Sequence, residues 1–318
     1  MMQDLSQWAT WREIHQQPQI WRQWGMVLDV AGLRAWVAEQ SFDQIWFCGA
    51  GTSAYIGDIL AAAIKGTRSV PTTDIVANPQ HILSGARPLV VSFGRSGDSA
   101  ETIGTLDALD VLLPLAPRLN ITCNKNGALA TRASAGPSRA IILPEATHDA
   151  GFAMTSSFST MLLTALAIFD APCDYPARMQ ALANQLEGLL PVFSTMDAPQ
   201  RMVFVGSGPL AFAAREAALK VMELSAGQIP ALWDSSLGFR HGPKAFVSAD
   251  TAITIFTSPE HPTRAYDRDL SEELRSQFPQ ATVETIGPAG VNNFSGSHLF
   301  SDLLEFLLLC FQLLVQVI

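Results

Sequence analysis

The sequence is poor in the residues that announce a metal or redox protein. Its 318 residues hold four cysteines, Cys48, Cys123, Cys173 and Cys310, and no two are spaced as a zinc or dithiol pair. Its six histidines form no pair at helix or hairpin metal spacing, so neither a metal nor a cofactor is expected. The N-terminus, M-M-Q-D-L-S-Q-W, lacks the apolar stretch that a secretion leader needs, and scattered reduced thiols fit a cytoplasmic setting. Basic residues are outnumbered, 20 Lys and Arg against 29 Asp and Glu, and the net charge of −9 argues against nucleic acid or an anionic membrane as partner. A small anionic substrate stays open, because backbone amides can hold a phosphate inside an acidic protein. There is no G-x-x-x-x-G-K-[ST] loop. The first glycine loop, G-A-G-T-S-A, lacks the last glycine of the dinucleotide fingerprint, so a nucleotide is not the default ligand. The one long apolar run, residues 303–318, is broken by Glu305, Gln312 and Gln316; it is short for a membrane span and reads as a buried helix.

What is present is an α/β rhythm. Hydrophobic residues make up 48% of the chain, enough for two α/β units of about 150 residues each. Residues 4–40 read as a helical preface with five tryptophans and weak points at Gly25 and Gly32. Buried strands are expected at 45–48, 88–92, 118–123 and 139–143, with helices near 53–64, 99–112, 157–170 and 175–194. The pattern restarts at residue 201, where R-M-V-F-V then G-S-G-P repeats the plan of W-F-C then G-A-G-T-S. Strands at 229–233, 251–256 and 281–285 and helices at 209–225, 263–276 and 301–318 complete the second copy. The predicted architecture is an N-terminal helical extension (1–40) followed by two tandem α/β domains, 41–195 and 196–318. Each is a parallel sheet flanked by helices, a flavodoxin-like three-layer sandwich.

Three strand ends carry unusual chemistry. Gly51, Thr52 and Ser53 combine backbone access with hydroxyl donors at a helix start. The segment S-F-G-R-S-G-D-S-A-E-T places Arg95, Ser96, Gly97, Ser99 and Thr102 around a second helix start, a density of hydroxyls suited to phosphate oxygens. A simpler role for Ser96 or Ser99 is a helix cap. Thr155, Ser156 and Ser157, in A-M-T-S-S-F, form a third cluster that is either a cap or a third wall. His148 and Asp149 stand just before it, as substrate contacts or as loop hydrogen bonders.

In the helix E-A-A-L-K-V-M-E-L-S, Lys220 and Glu223 are three residues apart and Glu216 is four before Lys220, so the three share one face. Spacing alone leaves a solvated salt-bridged stripe as the alternative. A lone histidine such as His241 is more often structural, but its setting in F-R-H-G-P-K favours a functional role.

The G-T-S loop, the S-G-D-S-A-E-T loop and the M-T-S-S segment resemble the sugar-binding loops of the sugar isomerase (SIS) family. The doubled arrangement resembles the isomerase half of glucosamine-6-phosphate synthase. A-M-T-S-S-F together with F-R-H-G-P-K is similar to the tagatose-6-phosphate ketose/aldose isomerase group, also described as galactosamine-6-phosphate deaminase/isomerase. The resemblance covers about residues 40–300. It implies that Glu223 is the base at sugar carbon 2, that Lys220 is its neighbouring active-site lysine, and that His241 opens the sugar ring from across a dimer interface. It implies an amino-hexose 6-phosphate substrate, with galactosamine 6-phosphate giving tagatose 6-phosphate and ammonia, and a homodimer or larger homo-oligomer. In the family the chain continues past the last helix into a tail that folds over the sugar. This chain stops at Ile318 within L-L-V-Q-V-I, so that tail is expected to be missing. The competing reading is a non-catalytic sugar-phosphate sensor, which needs the loops but not Glu223, Lys220 or His241.

Overall fold

The structure is a computed structural model that describes residues 5–83, 85, 87–191 and 199–287. The helix expected at 301–318 and Cys310 lie outside the described residues. The described residues divide into two compact units: those within 16–183, and residues 5–15 together with those from 184 to 287. The division thus falls at 183/184, and residues 16–40 of the expected extension belong with the first unit.

The first unit holds a five-stranded parallel sheet: β1 (Gln44–Cys48), β2 (Thr67–Ser69), β3 (Pro88–Gly94), β4 (Arg118–Thr122) and β5 (Ser138–Ile142), in the order β2-β1-β3-β4-β5. β3 and β4 are buried along almost their whole length, as expected of central strands covered on both faces. Around the sheet run α1 (Ala9–Val27), α2 (Val30–Ala38), α3 (Thr52–Ala63), α4 (Thr72–Ala77), α5 (Pro79–Leu83), α6 (Ala100–Leu112), α7 (Ala128–Thr131), α8 (Ser156–Phe169) and α9 (Tyr175–Leu189). The helix α1 runs unbroken through Gly25, and the break falls at Leu28–Asp29, where the Asp29 carboxylate accepts from Gly32 N at 2.9 Å and caps α2. Two tryptophans lock α1 onto α8: Trp21 Nε1 donates to Ser159 Oγ at 3.3 Å and Trp24 Nε1 to Thr164 Oγ1 at 2.8 Å. α8 is buried on all sides, and its apolar residues and small hydroxyls suit a helix with no solvent face.

The second unit repeats the plan with four parallel strands, β6 (Arg201–Gly206), β7 (Ala231–Ser235), β8 (Thr251–Phe256) and β9 (Thr282–Ile286), in the order β7-β6-β8-β9. Its helices are α10 (Pro209–Leu224) and α11 (Thr263–Gln277). Val203, Val205, Ile253 and Ile255 from the strands meet Phe239, Leu270 and Leu274 in its core. In both sheets the strand that follows the first in sequence pairs on one side and the next strand on the other, so both have the reversal point at which such folds bind ligands. Among the described residues no helix is long and apolar enough to cross a membrane.

Candidate active site

In the first unit, β1 ends at Cys48 and the chain turns through Gly49 and Gly51 into α3. Gly51 adopts φ +54°, ψ −131°, a conformation that side chains strongly disfavour. A Cβ on Gly49 would lie 2.5 Å from the Ser53 carbonyl carbon, so only glycine lets the strand end press against the helix start. β3 ends at Gly94, and Ser99 caps α6: its Oγ accepts from Thr102 N at 3.3 Å and pairs with Thr102 Oγ1 at 3.0 Å. The loop between is braced from outside. Asp98 accepts from Ala128 N at 2.6 Å, and Asn124 Nδ2 donates to the Ser96 carbonyl at 2.8 Å.

These turns enclose a cavity of about 270 Å³. Gly51, Ser53, Arg95, Ser96, Gly97, Ser99 and Thr102 line it, seven of the ten binding residues named from sequence. Five further lining residues were not among them: Ala50, Phe93, Gly94, Glu101 and Met154. Met154 closes one side, and Glu101 projects from the first turn of α6. The Glu101 carboxyl lies below its ordinary pKa because its own backbone N–H and the Ser99 hydroxyl bond to it. Arg95 is held by a hydrogen bond from Nη1 to the Gly151 carbonyl at 3.0 Å. That bond ties the loop after β3 to the segment carrying Met154.

Thr52, Thr155 and Ser156 are not in the lining. Thr52 is buried as the first residue of α3. Thr155 and Ser156 surround Asp149, whose buried carboxylate accepts from the backbone N–H groups of Thr155 (2.8 Å), Ser156 (3.2 Å) and Ser157 (2.9 Å) and from the hydroxyls of all three. The expected third wall is therefore an internal anion nest filled by Asp149, with Met154 just before it at the cavity. The alternative of a loop hydrogen bonder holds for Asp149, and the reason is local: a carboxylate six to eight residues upstream outcompetes water for the amides at the start of α8.

In the second unit, Glu216, Lys220 and Glu223 share one side of α10. Lys220 Nζ lies 3.2 Å from Glu216 Oε1 and 2.6 Å from Glu223 Oε2. Glu216 is fully buried and Lys220 nearly so, while the Glu223 side chain keeps 20% of its exposure. A solvated stripe is thus excluded. Burial pulls the Lys220 ammonium down, but the carboxylates of Glu216 and Glu223 outweigh it and hold its pKa above the ordinary value. Glu223 is the partly open member, a carboxylate whose neighbour is a fixed cation. His241 ends the turn Gly238–His241 and is exposed. Arg240 and Lys244 beside it pair with Glu273, whose carboxyl is lowered by Lys244 first and Arg240 second. Among the described residues no three His, Cys, Asp or Glu side chains gather as a metal site requires.

Known proteins are similar to this chain in sequence and fold. The chain is 39% identical over 321 residues to the D-galactosamine-6-phosphate deaminase AgaS of Shewanella sp. (strain ANA-3), an alignment covering 95% of this chain and 82% of that protein. The chain belongs to the AgaS group of the sugar isomerase family. Its relative from Escherichia coli, D-galactosamine-6-phosphate deaminase AgaS, is 43% identical over 246 residues, which are 73% of this chain but only 64% of that relative's length. The crystal structure of tagatose-6-phosphate ketose/aldose isomerase from Escherichia coli superposes with a TM-score of 0.88 at 33% identity, covering 98% of this chain and 92% of that one. No protein-family model matches the sequence. The two tandem parallel sheets are therefore the SIS architecture expected from the loops.

Proposed function

We propose that the chain is an aldose–ketose isomerase/deaminase of amino-hexose 6-phosphates, converting galactosamine 6-phosphate and water into tagatose 6-phosphate and ammonia. The observation that carries this reading is the cavity at the α6 start, where Ser96, Ser99 and Thr102 hydroxyls and a helix N-terminus meet in one small polar space. Helix amides and hydroxyls there suit the phosphoryl group of a sugar. The names of the AgaS relatives support the substrate.

The chemistry follows from the α10 cluster. With the sugar ring open, Glu223 takes the proton from carbon 2 and returns it to carbon 1. The amino aldose becomes a ketose imine. Water adds to carbon 2 of the imine and ammonia leaves, so the proton count balances and no oxidant is required. Lys220, 2.6 Å from Glu223, sets a fixed positive charge beside that carboxylate. His241 serves ring opening, acting across a homo-oligomer contact as the family resemblance implies. We assign the protein to the cytoplasm. The scattered cysteines, unpaired among the described residues, support this, and burial pushes the Cys48 and Cys123 thiols up to about 12.

The test is ammonia release and ketose formation from a panel of hexosamine 6-phosphates. Glu223→Gln should lower turnover by about 10²–10⁴-fold while binding of the sugar phosphate is kept. Equal turnover in the two proteins removes Glu223 from the mechanism. Binding without turnover in the unaltered chain favours the sensor.

A further inference from the structure

Parallel sheets with a chain reversal bind ligands beyond the carboxyl ends of the strands on either side of that reversal. In the second sheet this place is lined by Ser207, directly after β6, by Ser236, directly after β7, and by Ser258, two residues after β8. All three point to one group. Ser207 Oγ donates to Asp267 Oδ1 at 2.6 Å, Ser236 Oγ donates to the same oxygen, and Ser258 N donates to Oδ2 at 2.8 Å. Asp267 sits on the inward side of α11 and is completely buried.

The turn beneath it copies the turn of the first sheet. Gly208 has φ +58°, ψ −127°, against +54°, −131° at Gly51. A Cβ on Gly206 would lie 2.6 Å from the Leu210 carbonyl carbon, as one on Gly49 would lie 2.5 Å from that of Ser53. The scaffold is the same, and the contents differ. In the first sheet the hydroxyls border an open cavity; in the second they close on a carboxylate supplied by the chain itself. A buried carboxylate persists only where donors satisfy it, and it repels any second anion at contact distance.

We infer that Asp267 is an internal anion filling the ligand crevice of the second sheet. The chain then takes up its sugar phosphate at the first sheet alone, one per chain, and removal of this carboxylate uncovers a site for a small carboxylate anion. The one-per-chain statement rests on the function proposed above; the uncovered site does not.

The experiment is thermal unfolding of the full chain and of Asp267→Ala in rising sodium formate, with sodium chloride at equal ionic strength as the control. Alanine keeps the helix and leaves space for formate. The variant should melt below the unaltered chain and regain about 4 °C or more with formate, saturably, while the unaltered chain shows no such gain. Parallel responses of the two proteins, or a folded variant indifferent to formate, overturn the inference. If the alanine chain does not fold, Asp267→Asn replaces it. The neutral amide must turn N–H groups toward donors, so a clear fall in Tm is expected, and a Tm equal to that of the unaltered chain overturns the inference. A calorimetric titration of the unaltered chain with galactosamine 6-phosphate should give one site per chain. Two sites overturn the inference, whereas no binding at all defeats the proposed function and leaves the formate result to stand by itself.

Discussion

The two sheets carry nearly the same first turn, yet one turn borders a cavity and the other stands beside a buried carboxylate. Gly51 and Gly208 differ by only a few degrees in φ and ψ. What separates the units is the helix after the third strand. In the first, α6 begins with Ser99 and Thr102 and leaves their hydroxyls at the cavity. In the second, α11 turns Asp267 inward to three donors. A strand–glycine–helix turn is therefore a frame. Whether it becomes a binding site depends on a side chain delivered by another element.

The sharpest way to break this contrast is on α10, where the second unit also buries charge. Lys220→Met would strand the fully buried Glu216 without its cation. We expect a loss of about 3–5 kcal/mol in urea unfolding, far beyond an exposed pair. A loss below 1 kcal/mol would mean that the cluster is not truly desolvated. Next come the twin glycines. Gly51→Ala and Gly208→Ala should each cost about 1–3 kcal/mol of stability through the same backbone strain. Only the first should also weaken sugar-phosphate binding, and a calorimetric titration separates the two. A comparable effect, split between binding and stability, is expected from two serines. Ser96→Ala should weaken phosphate-group binding by about 1.5–3 kcal/mol with Tm nearly unchanged, since an anion accepts its hydroxyl. Ser236→Ala should do the reverse, lowering Tm with binding intact. The smallest effect near neutrality is that of pH. Lys220 holds its proton more tightly in the folded chain than in the unfolded one. Its stabilising contribution is therefore complete below the ordinary lysine pKa of about 10.4 and fades as pH rises past that value toward the raised one. The gap in Tm between the unaltered chain and Lys220→Met should stay constant from pH 7 to 9 and narrow only in strong alkali.

Much of the fold is legible in the sequence because the central strands carry apolar residues at alternate or most positions. P-L-V-V-S-F at 88–93 and the runs at 118–123 and 251–256 have one reading as buried parallel strands. β2 escapes notice: T-R-S at 67–69 is a three-residue edge strand with a charged residue at its middle, and nothing apolar marks it. The glycine–hydroxyl loops announce the cavity, since their chemistry is contiguous in sequence. The carboxylates that organise the anion nests do not. Asp149 stands six to eight residues before the groups it binds, and Asp267 lies sixty residues beyond Ser207. Neither distance has a periodic signature. The same holds for Glu216, whose complete burial is decided by what packs over α10. The sequence pattern Glu–x₃–Lys–x₂–Glu is identical on a wet surface.

The indoles of Trp21 and Trp24, bolted by hydrogen bonds to hydroxyls on α8, give the first unit a built-in optical gauge. Both rings are shielded from water. When α1 peels away they hydrate and lose their bonds, and the emission moves to longer wavelength. In a variant that keeps only these two of the chain's seven tryptophans, fluorescence reports detachment of a helix, while circular dichroism reports loss of the secondary structure as a whole.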